Sequence, residues 1–98
     1  MALTDDELRA ELARIRGDLD AIDQQLINLL SRRLEVGLEA ANIKHLLRVP
    51  VHQPEREERA VRQAREWARA KGLVESQVED IMRRMIELSR NAQLSART

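Results

Sequence analysis

The chain has 98 residues, of which 17 are basic and 17 acidic, so its formal net charge at pH 7 is zero. This balance gives no indication of a nucleic acid or an anionic membrane as a partner. The lack of cysteine excludes a disulfide scaffold and a thiolate metal site, and no apolar run approaches the roughly 20 residues of a membrane span. We therefore expect one domain, 1–98, in a soluble, cytoplasmic protein.

A first, long helix is predicted over about 5–47, with Thr4 and Glu7 as a capping box at its start. Its apolar positions recur in steps of four and three, as in the seam between packed helices: Leu8, Leu12, Ile15, Leu19, Ile22, Leu26 and Leu29. Such a helix is about 60 Å long, whereas a compact domain of this size has a radius of gyration of about 13 Å. We therefore expect a second copy of the chain to cover the seam.

The seam changes character in the second half of this helix. The same stepping lands on Arg33, Gly37, Ala40 and Lys44. Arg33 and Lys44 are eleven residues apart, which places them on one face about 16 Å apart along the axis. A buried unpaired cation is costly, so these cations need carboxylate partners or an anionic ligand. Gly37, between them, leaves room for a bulky group.

Two shorter helices follow, and they complete an all-α fold of three helices per chain. The second is expected over about 54–71, with Pro54 in its first turn and Gly72 just after its end. The third is expected over about 75–94. The composition agrees, since the chain is rich in Ala, Leu, Arg and Glu and has one aromatic residue.

Polar side chains occur on both shorter helices where a site can form. Arg56 and Glu57 lie in the first turn of the second helix, and Ser89 and Gln93 share one face of the third at i and i+4. The set contains no nucleophile with an adjacent base. It suits the binding of an anion and the stabilisation of negative charge that develops on an oxygen.

Taken together, these residues resemble the AroQ-class, all-helical chorismate mutases. The resemblance extends from about Leu12 to Gln93, and three segments carry it: LDAIDQQLINLLSRRLEVGLEAANIK, PVHQPERE and ELSRNAQ. It implies the Claisen rearrangement of chorismate to prephenate without a cofactor, a metal or a covalent intermediate. It also implies an intertwined homodimer in which each of two sites takes Arg16 from the partner subunit.

The resemblance assigns a role to each site residue. Lys44 and Gln93 meet the ether oxygen of the breaking bond. Glu57 accepts a hydrogen bond from the ring hydroxyl. The two substrate carboxylates are positioned by Arg33, Arg56, Ser89 and Arg16 of the partner subunit. Arg16 precedes Arg33 by seventeen residues, about 25 Å along the helix, so it cannot reach the same site within one chain.

Two alternatives stay open at this stage. Gln53 stands beside the expected ring hydroxyl, where the family often has an aspartate, and a Gln-Pro pair there is also similar to relatives that rearrange 4-amino-4-deoxychorismate. The isochorismate pyruvate-lyases share the scaffold as well, so a related enzyme with another substrate is one alternative. The other is a non-catalytic helical adaptor whose cations pair with acidic residues of a partner protein.

Overall fold

The computed structural model describes residues 2–96, which form three α-helices: α1 (Asp5–Leu47), α2 (Pro54–Ala70) and α3 (Glu75–Ala96). No strand occurs in this range, and the predicted all-α fold is confirmed. The second helix ends one residue before its expected end, and the third continues two residues beyond it. No helix within residues 2–96 is long and apolar enough to cross a membrane. The chain divides within α1 into two compact units, one ending at Arg32 and the other beginning at Arg33.

The first unit consists mainly of the first part of α1. The predicted capping box is present: the Glu7 backbone N–H donates to Thr4 Oγ1 at 3.2 Å, and the Thr4 N–H donates to the Glu7 carboxylate at 3.3 Å. All seven seam residues from Leu8 to Leu29 are 42–65% exposed in the single chain. A monomer rarely exposes so continuous an apolar stripe, and this is the stripe for which the sequence analysis expects a second copy of the chain.

The second unit contains a hairpin of α2 packed against α3. Val61, Ala64 and Ala68 of α2 and Ile86 of α3 are buried. In the turn between the helices, Gly72 has a φ of 71° and its N–H donates to the Arg69 carbonyl at 3.1 Å. The next N–H, of Leu73, donates to the Ala68 carbonyl at 2.9 Å, which completes a Schellman cap. Gly72 is therefore the helix-ending glycine that the sequence predicts.

Ion pairs on the surface join α2 to α3. Arg83 of α3 donates to Glu58 of α2 at 2.8 Å, and Arg65 of α2 donates to Glu79 of α3 at 2.7 Å. Within α3, Arg83 also donates to Glu79 at 2.9 Å. The hydrogen bonds from Arg83 lower the pKa of both carboxyls below their usual values. These pairs therefore favour the folded state at neutral pH, and that contribution is lost as the pH falls through the lowered pKa values. Because all of them face solvent, their effect on the free energy of unfolding is modest.

The loop after α1 is tied to Lys44 through both its backbone and its side chain. Arg48 has a φ of 60°, and this turn lets the Val49 N–H donate to the Lys44 carbonyl at 2.9 Å. The Lys44 ammonium in turn donates to the Val51 carbonyl at 3.1 Å. The loop leads into α2, where Pro54 occupies the first turn and the Glu57 N–H donates to the Gln53 carbonyl at 3.1 Å.

Candidate active site

One cavity in the second unit is lined by seven of the eight residues predicted to form the site. The second part of α1, the loop before α2, the start of α2 and the C-terminal half of α3 each contribute to it. The seven residues are Arg33, Lys44, Gln53, Arg56, Glu57, Ser89 and Gln93. The eighth, Arg16, belongs to the other unit and is exposed there, so its part in the site stays a prediction.

A chain of hydrogen bonds joins three of these side chains at the cavity wall. Lys44 Nζ donates to Gln93 Oε1 at 3.2 Å, and Gln93 Nε2 donates to Ser89 Oγ at 3.1 Å. Ser89 and Gln93 are each only 7% exposed. An ammonium has three donors and a primary amide has two, so after these bonds and the bond to Val51 each group keeps one N–H for a ligand.

Gly37 is the point at which α1 approaches this chain of hydrogen bonds. A Cβ atom added there would lie 2.6 Å from Ser89 Oγ and 3.3 Å from Gln93 Nε2. The first distance is too short for non-bonded atoms. The sequence analysis expects the lack of a side chain at Gly37 to leave space for a bulky group. In the structure, Ser89 and Gln93 of α3 occupy that space.

The Gly37→Ala variant is expected to displace Ser89 and Gln93 from their bonded positions, and any reaction that uses these two side chains should lose about 10–100-fold in kcat/KM. Helix content should not fall, since alanine is about 1 kcal/mol better than glycine inside a helix. Steady-state kinetics and circular dichroism measure the two effects. A double-mutant cycle on the free energy of unfolding supplies the control. Gly37→Ala should lower the free energy of unfolding less in the Ser89→Ala background than in the wild type, because Ser89→Ala removes the nearest atom. Equal cost in both backgrounds would contradict the steric explanation.

Within residues 2–96, two arginines that line the cavity, Arg33 and Arg56, form no ion pair. The Arg33 Nη2 atom donates only a weak hydrogen bond, to Met82 Sδ at 4.0 Å. Arg56 also lies in the first turn of α2, where the helix dipole favours an anion over a cation. Counting Lys44 and Arg90 as well, four cations and one carboxylate line the cavity, an excess of three positive charges. The cavity is therefore suited to an anion with more than one negative charge.

The single carboxylate of the cavity, that of Glu57, is held by a residue that the sequence analysis missed. Arg90 Nη2 donates to Glu57 Oε1 at 2.8 Å, and His52 Nε2 lies 3.5 Å from Glu57 Oε2. Helical periodicity could have placed Arg90 on the cavity face of α3. The four cavity residues of this helix follow the i, i+3, i+4, i+7 pattern: Ile86, Ser89, Arg90 and Gln93. The pairing with Glu57 had no such signal, since 33 positions separate the two residues.

The potential metal ligands are not clustered. Within the described part of the chain, no group of three or more His, Asp or Glu side chains is arranged to hold a metal ion. The polar atoms that the cavity does bring together are mostly donors, on guanidinium, ammonium and amide groups.

Comparison with known proteins relates this site to a family. The chain is 35% identical over 80 residues to a T-protein of Enterobacter agglomerans, a stretch that covers 82% of the chain and 21% of that protein. It is 38% identical over 66 residues to a 4-amino-4-deoxychorismate mutase of Streptomyces venezuelae, covering 67% of the chain and 64% of that relative. It is also 38% identical over 47 residues to a chorismate mutase of Methanocaldococcus jannaschii, covering 48% of each.

The match to the T-protein thus spans only about a fifth of that protein's length. The family model for chorismate mutase type II matches residues 15–94, a range that includes every predicted site residue. The predicted resemblance is confirmed, and the chain belongs to the chorismate mutase type II family.

Proposed function

We propose that this chain catalyses the rearrangement of chorismate to prephenate. The observation that carries the proposal is the cavity itself, whose described lining combines four cations, the Lys44–Gln93–Ser89 hydrogen bonds and a single carboxylate. Chorismate is a dianion with one ether oxygen and one ring hydroxyl. The charge and the donor set of the cavity match these groups.

The reaction is unimolecular: one C–O bond breaks, one C–C bond forms, and no proton is transferred. The enzyme needs to hold the substrate in a compact conformation in which the two carbons that will bond are close. We assign the binding of the substrate's carboxylates to Arg33, Arg56 and Ser89. Because Arg33 and Arg56 have no acidic partner within residues 2–96, no internal ion pair has to break when the substrate enters.

Negative charge grows on the ether oxygen as the C–O bond breaks. Donors directed at that oxygen bind the transition state more strongly than the substrate, and so raise kcat. We assign this role to the remaining N–H groups of Lys44 and Gln93, which the bonds to Val51 and Ser89 hold in place before the substrate arrives.

Incubation of the purified chain with chorismate tests the proposal. Loss of the chorismate absorbance, together with formation of prephenate, is the expected result. If micromolar enzyme causes no loss of chorismate, the proposal fails and the helical adaptor becomes the better interpretation.

A second candidate is the same rearrangement of 4-amino-4-deoxychorismate. It is favoured by the identity to the Streptomyces venezuelae relative and by Gln53, which lines the cavity near Glu57. Product analysis with chorismate, isochorismate and the amino analogue, in parallel incubations, distinguishes the candidates.

We further propose a homodimer in which Arg16 of one subunit completes the site of the other. The exposed apolar stripe from Leu8 to Leu29 supports this assembly, because association buries it. Arg16 lies on the same stretch of α1 as the stripe.

Mixed dimers test the shared site. The Arg16→Ala and Lys44→Ala variants should each have low activity, because each lacks a residue in both sites of its dimer. When the two variants are unfolded and refolded together, half of the dimers are mixed and each mixed dimer has one intact site, so about a quarter of the wild-type activity should return. A mixture that stays as inactive as its components would show that Arg16 does not act across the interface.

A further inference from the structure

We propose that Arg90 sets the preference of this site for a ring hydroxyl over a ring amine, through its ion pair with Glu57. The inference rests on the proposed function, and concerns the part of the substrate that binds at Glu57. It makes Arg90 a specificity-determining residue, which acts on the substrate through Glu57.

The first step concerns where the ring substituent binds. Among the described residues that line the cavity, Glu57 is the only one with a carboxylate. A dianion places its own carboxylates away from Glu57 and near the unpaired guanidiniums of Arg33 and Arg56. The substituent that can donate a hydrogen bond is then the group that suits Glu57, whether it is a hydroxyl or an amine.

The second step concerns how Glu57 is held. Arg90 Nη2 donates to Oε1 at 2.8 Å, which leaves Oε2 to accept from a ligand. His52 lies 3.5 Å from Oε2, but its imidazole is more than half exposed and can yield to a ligand. The Arg90 Nε atom is buried and has no hydrogen-bond partner within residues 2–96. A buried donor without an acceptor is costly, so the placement of Arg90 is not explained by stability alone.

The third step is electrostatic. An alkyl amine is protonated at neutral pH, whereas a hydroxyl is neutral. Arg90 balances the charge of Glu57, and thereby removes the attraction that a lone carboxylate would exert on an ammonium. The guanidinium also repels an ammonium that approaches the same carboxylate. A neutral hydroxyl is not repelled by the guanidinium, and it can donate a hydrogen bond to Glu57 Oε2.

The experiment measures kcat/KM for chorismate and for 4-amino-4-deoxychorismate with the wild type and with Arg90→Met and Arg90→Lys. The wild type should favour chorismate. In Arg90→Met the ratio of amine to hydroxyl activity should rise at least about 10-fold, because an unbalanced Glu57 attracts the ammonium. Arg90→Lys keeps the positive charge, and its ratio should stay close to that of the wild type.

Arg84→Met is the matched control, since Arg84 lies on the same helix, pairs with Glu87 at the surface and does not line the cavity. Its ratio should not change. A merely structural role of Arg90 would lower both activities together and leave the ratio unchanged. If Arg90→Met does not fold, Arg90→Gln removes the charge while keeping a polar side chain, and the same rise is expected.

The outcomes separate this inference from the proposed function. A wild type that is active on chorismate, with an unchanged ratio in the charge-removing variants, overturns the inference alone. So does a wild type that prefers the amine. Inactivity of the wild type on both substrates overturns the proposed function, and the inference with it.

Discussion

Replacing Lys44 with alanine is expected to lower kcat/KM for chorismate by about 10³-fold. The ammonium is held by the Val51 carbonyl and by Gln93 Oε1, so its third N–H is aligned before the reaction begins. Truncation removes this donor and leaves Gln93 free to turn. It also removes one of the four cations that face the cavity. The loss should therefore affect both the binding of the dianion and the stabilisation of the ether oxygen.

The chain provides a matched control for this variant. Its only other lysine, Lys71, is exposed at the end of α2 and does not line the cavity. Lys71→Ala should therefore retain wild-type kinetics, and circular dichroism and size-exclusion chromatography should show that both variants keep their helices and their oligomeric state. Near wild-type activity in Lys44→Ala would mean that the cation on the seam of α1 does not take part in the reaction.

The Gln93→Glu variant is expected to lose most of its activity at neutral pH and to regain it as the pH falls. An amide donates from Nε2 at every pH, whereas a carboxylate only accepts. Lys44 lies 3.2 Å from Gln93 Oε1, so a carboxyl at this position would be held in its charged form by the ammonium. The donor that we propose for the ether oxygen then exists only where the carboxyl is protonated, and the activity should rise toward low pH.

The measurement is kcat/KM from about pH 4 to about pH 9 for the variant and the wild type. Gln77→Glu, an equal change at an exposed position of α3, should leave the wild-type profile unchanged and so reports any general effect of the added charge. Wild-type kcat/KM of Gln93→Glu at neutral pH would remove Gln93 from the mechanism.

Several features of the site follow from helical periodicity and could be predicted from the sequence. The steps of four and three between the apolar positions of α1 continue through Arg33, Gly37 and Lys44. These residues were therefore predicted to lie on the same face of the helix as the apolar positions. Ser89 and Gln93 are one turn apart on α3, and both prove to be buried. These are local relations, which a single helix fixes before any packing occurs.

Other features depend on tertiary contacts that no local pattern encodes. The Val51 carbonyl accepts from Lys44 only because Arg48 turns the chain back at the end of α1. The pairing of Arg90 with Glu57 requires the α2–α3 hairpin. Periodicity also predicts the stripe from Leu8 to Leu29, but the partner surface that we propose for it is not encoded within one helix.

The excess of positive charge in the cavity has a consequence for folding. Four cations gathered around one carboxylate repel each other in the empty protein, so part of the folding free energy is used to hold them together. A bound anion removes this repulsion and stabilises the folded state by mass action. The side chains that we propose to bind a dianion thus make the unliganded protein less stable than its packing alone would allow, a trade between stability and function.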